Sequence, residues 1–172
     1  MKKVFFLIPL ILTMQSFKNP DTKKEVRALY QQAATEEASC KKLLSLLQAF
    51  NENNNTLLAG YKACGTMLMA KYVLNPLSKL SFFSKGKKLL EKAIGKDMEN
   101  AELRFLRFTV QTNAPAFLNY RYAKEVDKLF LLKTMSTLSD KDLEQIILSF
   151  LIKSGELTPD EKKSLKQSTT IL

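Results

Sequence analysis

The chain of 172 residues contains no histidine and no tryptophan. Without an imidazole there is no Ser-His-Asp or Cys-His pair, no histidine metal ligand, and no side chain that ordinarily titrates near neutral pH. Cysteine occurs twice and never as Cys-x-x-Cys, so a catalytic thiol is not expected. Glycine and proline number five each, which excludes collagen-like and low-complexity chains. The glycines form no P-loop, no Gly-x-Gly-x-x-Gly and no Gly-x-Ser-x-Gly. What remains is an ordinary globular composition, 45% apolar and 26% charged, with a formal charge of +10.

The first residues read Met1-Lys2-Lys3, then Val4-Phe5-Phe6-Leu7-Ile8-Pro9-Leu10-Ile11-Leu12-Thr13-Met14. Two lysines before a short apolar run have the layout of a secretory signal. A membrane-crossing helix needs roughly 20 apolar residues, and Pro9 interrupts this run. The expectation is a signal peptide over residues 1–16, cut after Ser16, and one all-helical domain over 17–172. The lysine-led start suggests a bacterial product, periplasmic or secreted. No later segment has the length and apolarity of a transmembrane span.

From residue 19 onward, apolar residues recur at spacings of three and four, the signature of amphipathic helices. Asn19-Pro20-Asp21 starts a helix expected over about 20–50, with Val26, Tyr30, Ala33, Cys40, Leu44 and Leu47 as its stripe. The Asn51–Asn55 run breaks it and can cap the next helix. That helix, about 56–73, carries Leu57, Tyr61, Cys64, Leu68 and Tyr72. Its Gly60, Ala63 and Gly65 leave room for a close neighbour, and Asn75-Pro76 ends it. Further helices are expected at about 81–95, 100–112 and, with a break near Asn119, 113–135. The helix at 100–112 is apolar on most sides, as central helices are. Another spans about 140–153 and stops at Gly155. Thr158-Pro159-Asp160-Glu161 is a capping box that opens the last. Short connections favour antiparallel neighbours. The expected fold is all-α, a compact stack of antiparallel helical hairpins.

Gly86-Lys87-Lys88-Leu89-Leu90-Glu91-Lys92-Ala93-Ile94, then Asp97 and Asn100 before Ala101-Glu102-Leu103, resembles a tetratricopeptide-repeat junction, with Met98 where proline is usual. It implies one repeat-like unit in an irregular, TPR-like bundle, because no second copy follows 34 residues away. Leu58-Ala59-Gly60-Tyr61-Lys62-Ala63, Ala70-Lys71-Tyr72, Asn75-Pro76, Lys79-Leu80, Glu102–Phe108 and Pro115-Ala116-Phe117-Leu118 together look like a family of small exported bacterial helical proteins. That resemblance, over roughly 25–135, implies export and a helical fold and brings no catalytic residues.

Cys40 and Cys64 sit on facing stripes and are centred on position 52, close to the turn near Asn53. Facing helices 8–10 Å apart can bring such a pair within disulfide range. A bond would be worth about 3.5 kcal/mol in the chain-entropy model. The other arrangement is two small buried thiols with no bond.

The positive charge is unevenly placed. Residues 19–60 and 97–172 are each balanced, whereas residues 61–96 hold eight lysines and one glutamate. At 100° per residue, Lys85, Lys88, Lys92 and Lys96 fall within about 80° of one helix face, with Phe83, Gly86, Leu90 and Ala93 on another. This face is either a solvated helix back or an anion-binding surface. Arg104 and Arg107, one turn apart on an apolar helix, need carboxylate partners such as Glu99, Glu102, Glu125 or Asp127; the alternative is a two-arginine clamp for a bound anion. Tyr120-Arg121-Tyr122 lines a groove or packs. Asp140, Asp142 and Glu144 read as helix-start acids rather than metal ligands.

The expected function is a non-enzymatic exported module that engages a protein or ligand through a face or groove. The alternative is a binder of an anionic envelope surface or acidic polymer through the lysine-rich stretch. An enzyme is the third possibility. No cofactor, metal or nucleic-acid partner is expected.

Overall fold

The computed structural model describes the backbone of residues 20–170 and the side chains of residues 22–165, so the expected signal segment and its cleavage position lie outside the described residues. The described chain forms α1 (Pro20–Gln32), α2 (Glu37–Leu46), α3 (Thr56–Leu68), α4 (Pro76–Lys96), α5 (Ala101–Asn113), α6 (Lys124–Thr134), α7 (Lys141–Ser154) and α8 (Pro159–Thr170). Short 3-10 turns follow α3, α5 and α6, and no strand occurs among the described residues. None of these helices is long and apolar enough to cross a membrane. The all-α expectation holds.

The helix starts are written in side chains that accept hydrogen bonds from otherwise unpaired first-turn amides. Asn55 accepts from Leu58 N (3.0 Å), Asn100 from Leu103 N (3.1 Å) and Asp140 from Leu143 N (3.0 Å). The capping box forms in both directions. Glu161 N donates to Thr158 Oγ1 (3.2 Å), and Thr158 N donates to the Glu161 carboxylate (2.8 Å). Gly155 ends α7 at φ 74°, the left-handed position that suits glycine. Asn119, at φ 46°, makes the break expected near it.

Two boundaries differ from the sequence reading. The helix expected over 20–50 is two helices, α1 and α2, separated at Ala33–Glu36. No glycine or proline marks the break. It is held from outside: Tyr72 Oη donates to Ala33 O at 2.6 Å, and Lys71 Nζ donates to Ala34 O. These donors satisfy carbonyls that a continuous helix would have used. The helix expected from 81 instead starts at Pro76. Asn75-Pro76 stops one helix and starts the next. The Asn75 side chain accepts from Leu77 N (2.8 Å) and Ser78 N (3.2 Å), and proline occupies the first position.

The helix α3 is the hub of the first core. Its Gly60 faces Leu103 of α5, its Gly65 faces Leu43 and Leu44 of α2, and its Ala63 and Met67 face Gly86 of α4. A Cβ on Gly86 would stand 2.5 Å from the Ala63 carbonyl oxygen, so α3 and α4 cross with their backbones nearly touching. The core has two clusters. One lies among α1 to α5 and includes Val26, Leu43, Leu58, Leu90 and Leu103; the other joins Phe105 and Phe108 of α5 to Leu131, Ile147 and Leu151. The helix α5 contributes to both, as its near-continuous apolar surface requires.

Candidate functional site

The α3–α4 packing positions the candidate site. Phe83, Gly86, Leu90, Ala93 and Ile94 form the buried face of α4. The 3.6-residue period then puts Lys85, Lys88, Lys92 and Lys96 on the opposite side, and all four are exposed. They are brought together as the spacing predicts. Lys92 Nζ reaches no closer than 3.9 Å to Glu52. Lys85, Lys88 and Lys96 make no ion pair among the described residues. Lys87 is set apart, since its ammonium lies 4.9 Å above the Tyr120 ring.

Glu91 is the one acid between residues 61 and 96, and it is turned inward. It accepts from Arg107 Nη1 at 2.9 Å and from the Tyr120 hydroxyl. Burial and then this carboxylate push the Tyr120 hydroxyl far above its ordinary pKa, so it remains a donor. The outer face of α4 therefore carries lysines with no interleaved carboxylate. Lys88–Lys92 and Lys92–Lys96 are like-charge pairs at i, i+4, each of which costs about 0.2–0.5 kcal/mol on an isolated helix. Other surface helices are laced with opposite charges instead, as in Lys41–Glu37 (2.8 Å) and Lys141–Glu144 (2.7 Å).

Arg104 and Arg107 belong to the interior. Asp127 of α6 is fully buried and lies 2.7 Å from Arg104 Nε; it accepts from Arg107 Nε and Nη2 at 2.7 and 2.8 Å. The Arg104 Nε–H makes no hydrogen bond, so that contact is an ion pair alone. The Arg104 guanidinium also stacks 4.6 Å from the Phe130 ring centre. Burial opposes the Arg107 charge, but Asp127 and Glu91 hold its pKa above the ordinary value. Both guanidiniums are paired with internal acids, so the two-arginine clamp is withdrawn and the lysines alone remain as anion-binding candidates. Of the partners named from sequence, Asp127 is used. Glu91 is not among them.

Glu102 was named but serves Arg27, a pairing the sequence reading missed. Arg27 Nε and Nη2 each donate to the Glu102 carboxylate at 2.7 Å, and Nη2 donates to Asp140 at 2.8 Å. The buried Tyr61 hydroxyl donates to Glu102 at 2.6 Å. This cluster ties α1, α3 and α5 to the start of α7. An acid in the first turn of an apolar helix was the available signal, but nothing in sequence linked it to a residue 75 positions away.

Cys40 and Cys64 are both buried and unbonded, the second arrangement the sequence allowed. Cys40 Sγ donates to Gly65 O at 3.4 Å. Burial raises the two thiols to about 11 and about 12 respectively, so both stay protonated and unreactive at neutral pH. Tyr120 packs edge-on against Phe83 at 5.9 Å, which makes it a core residue rather than a groove lining. A surface pocket lined by Thr22, Lys23, Asn55 and Leu57 has a volume of about 30 Å³, room for water rather than for an organic substrate. No family model, curated protein or solved structure matches the chain.

Proposed function

We propose that this chain is a non-enzymatic, exported interaction module that docks an anionic partner on the lysine face of α4. The observation that carries this reading is the treatment of charge on that helix. Its only carboxylate is committed inward to Arg107 and Tyr120, while Lys85, Lys88, Lys92 and Lys96 stay outward. A face that served solvation alone would gain from interspersed acids; a face that meets phosphates, sulfates or carboxylates would lose by them. The basic, apolar opening segment and the resemblance to exported bacterial helical proteins support a periplasmic or secreted setting. The resemblance of the Gly86–Leu103 stretch to a repeat junction fits a scaffold that presents a helix face.

Retention on immobilised heparin tests the reading. The substitutions Lys85→Glu, Lys88→Glu and Lys92→Glu together should lower the eluting salt concentration far more than Lys41→Glu, Lys153→Glu and Lys162→Glu, which change net charge equally at exposed positions elsewhere. Equal losses would mean that total charge, not this face, governs binding, and would overturn the proposal.

A further inference from the structure

The first turns of α4 and the residue before its cap carry three leucines that no core covers. Leu74 is 95% exposed, Leu77 is 77% exposed and Leu80 is 54% exposed. Pro76, Lys79 and Ser81 are exposed as well, so this end of the helix stands clear of the body on several sides. Farther along, the same outward side bears the lysines. At 100° per residue, Leu77, Leu80, Lys85, Lys88, Lys92 and Lys96 fall in one sector about 160° wide, which also holds Glu91, turned aside to Arg107 and Tyr120. The helix is 21 residues long, which at 1.5 Å per residue gives a strip roughly 30 Å in length.

Resting on the reading above, we infer that the anionic partner is the surface of a lipid bilayer. In this arrangement α4 lies along the interface, with Leu74, Leu77 and Leu80 immersed at the acyl boundary and Lys85, Lys88, Lys92 and Lys96 on headgroup phosphates. Charge complementarity alone would suit any polyanion. The leucines separate the candidates: clustered exposed leucines are unfavourable in water and useless against a polysaccharide. Interfacial helices combine large apolar residues immersed at the acyl boundary with lysines on anionic headgroups, and α4 offers both in turn along its outward side. Lys85, Lys88 and Lys96 make no ion pair among the described residues and Lys92 only a long one to Glu52 (3.9 Å), which leaves their long side chains able to snorkel to headgroups.

The lack of tryptophan supplies the test. In the full chain, Leu77→Trp creates the sole tryptophan, and Ile152→Trp places one at an exposed site on α7 as control. Vesicles of phosphatidylcholine with phosphatidylglycerol should shift the emission of the first variant to the blue and shield it from acrylamide. Vesicles of phosphatidylcholine alone should not, and the Ile152→Trp probe should respond to neither. Adding Lys85→Glu, Lys88→Glu and Lys92→Glu should weaken anionic-vesicle binding by at least about 100-fold, with the helical circular dichroism retained. If vesicles bind through the lysines while the position-77 probe stays in water, or if heparin binds and vesicles do not, the bilayer assignment falls. The anionic-partner reading then survives with an acidic polymer or acidic protein as its occupant. If lysine reversal changes neither vesicle nor heparin binding, both fall.

Discussion

Two glycines on α4 make the same substitution come out with opposite signs. A Cβ on Gly86 would lie 2.4 Å from Met67 Cγ, 2.5 Å from Ala63 O and 2.9 Å from Met67 N. The methionine side chain can swing away, but the carbonyl and the amide belong to the backbone of α3. Relief therefore requires α3 and α4 to separate, which loosens the contacts of Phe83, Leu90 and Ala93. Overpacking of this kind costs about 1–3 kcal/mol, occasionally more. Alanine's better helix propensity returns about 0.5–1 kcal/mol. The overpacking term wins, and Gly86→Ala should destabilise the fold by about 1 kcal/mol net. Gly95, on the same helix, has nothing within 4 Å of the added atom. There only the propensity term acts, and Gly95→Ala should stabilise by about 0.5 kcal/mol. For a chain of this size, 1 kcal/mol corresponds to about 2–4 °C in Tm. Thermal and urea unfolding followed by far-UV circular dichroism should thus show Gly86→Ala melting roughly 2–4 °C below the parent and Gly95→Ala slightly above it. Adding Met67→Ala to Gly86→Ala should not restore stability, because the clash with Ala63 O persists. A Gly86→Ala protein as stable as the parent would refute the close crossing of α3 and α4.

Three further expectations follow from the interior. Asp127→Ala leaves Arg104 without its acid and Arg107 with Glu91 alone and should cost about 3–5 kcal/mol in urea unfolding, whereas replacing Arg104, Arg107, Asp127 and Glu91 together by apolar residues of similar volume should cost far less; a large loss in the quadruple variant would contradict a purely structural cluster. A thiol reagent such as dithionitrobenzoate should leave Cys40 and Cys64 unmodified in the native protein and titrate both after denaturation, with rapid native labelling as the contrary result. The hydrogen bond from Arg27 holds the Asp140 carboxyl below its ordinary value of 3.8. A depressed folded-state pKa gives stability that is present above the unfolded value and lost as pH falls through the folded one. Stability should therefore decline below about pH 4 through this group, and Asp140→Asn should flatten that part of the profile measured by urea unfolding at successive pH values.

The buried charge clusters also bond elements of the two cores to each other. Arg27 reaches from α1 to Glu102 on α5 and to Asp140 at the cap of α7. Glu91 and Asp127 clasp Arg107 between α4 and α6. Every member of these clusters is an ordinary charged residue in the sequence; each is identified as structural only by its partner.

Local chemistry was legible from the chain alone. Asn55, Asn100, Asp140 and the Thr158–Glu161 box announce their helices, because a cap is a bond between residues two or three positions apart. Apolar spacing gave the buried face of α4, and with it the outward row of lysines, because period and burial are linked on a single helix. Long-range choices could not be read. Nothing near Ala33 says that Tyr72 and Lys71 will take the carbonyls of Ala33 and Ala34 and split the first helix. Nothing near Arg107 says that Glu91 will turn inward to meet it, leaving the lysine face without an acid. Leu74, Leu77 and Leu80 look like core residues by type, and only the packing of α4, which buries Phe83, Gly86, Leu90 and Ala93 instead, leaves them in water. Hydrogen bonds between neighbours are fixed by sequence distance; ion pairs and exposure depend on which surfaces the whole chain brings together, and that is decided by packing.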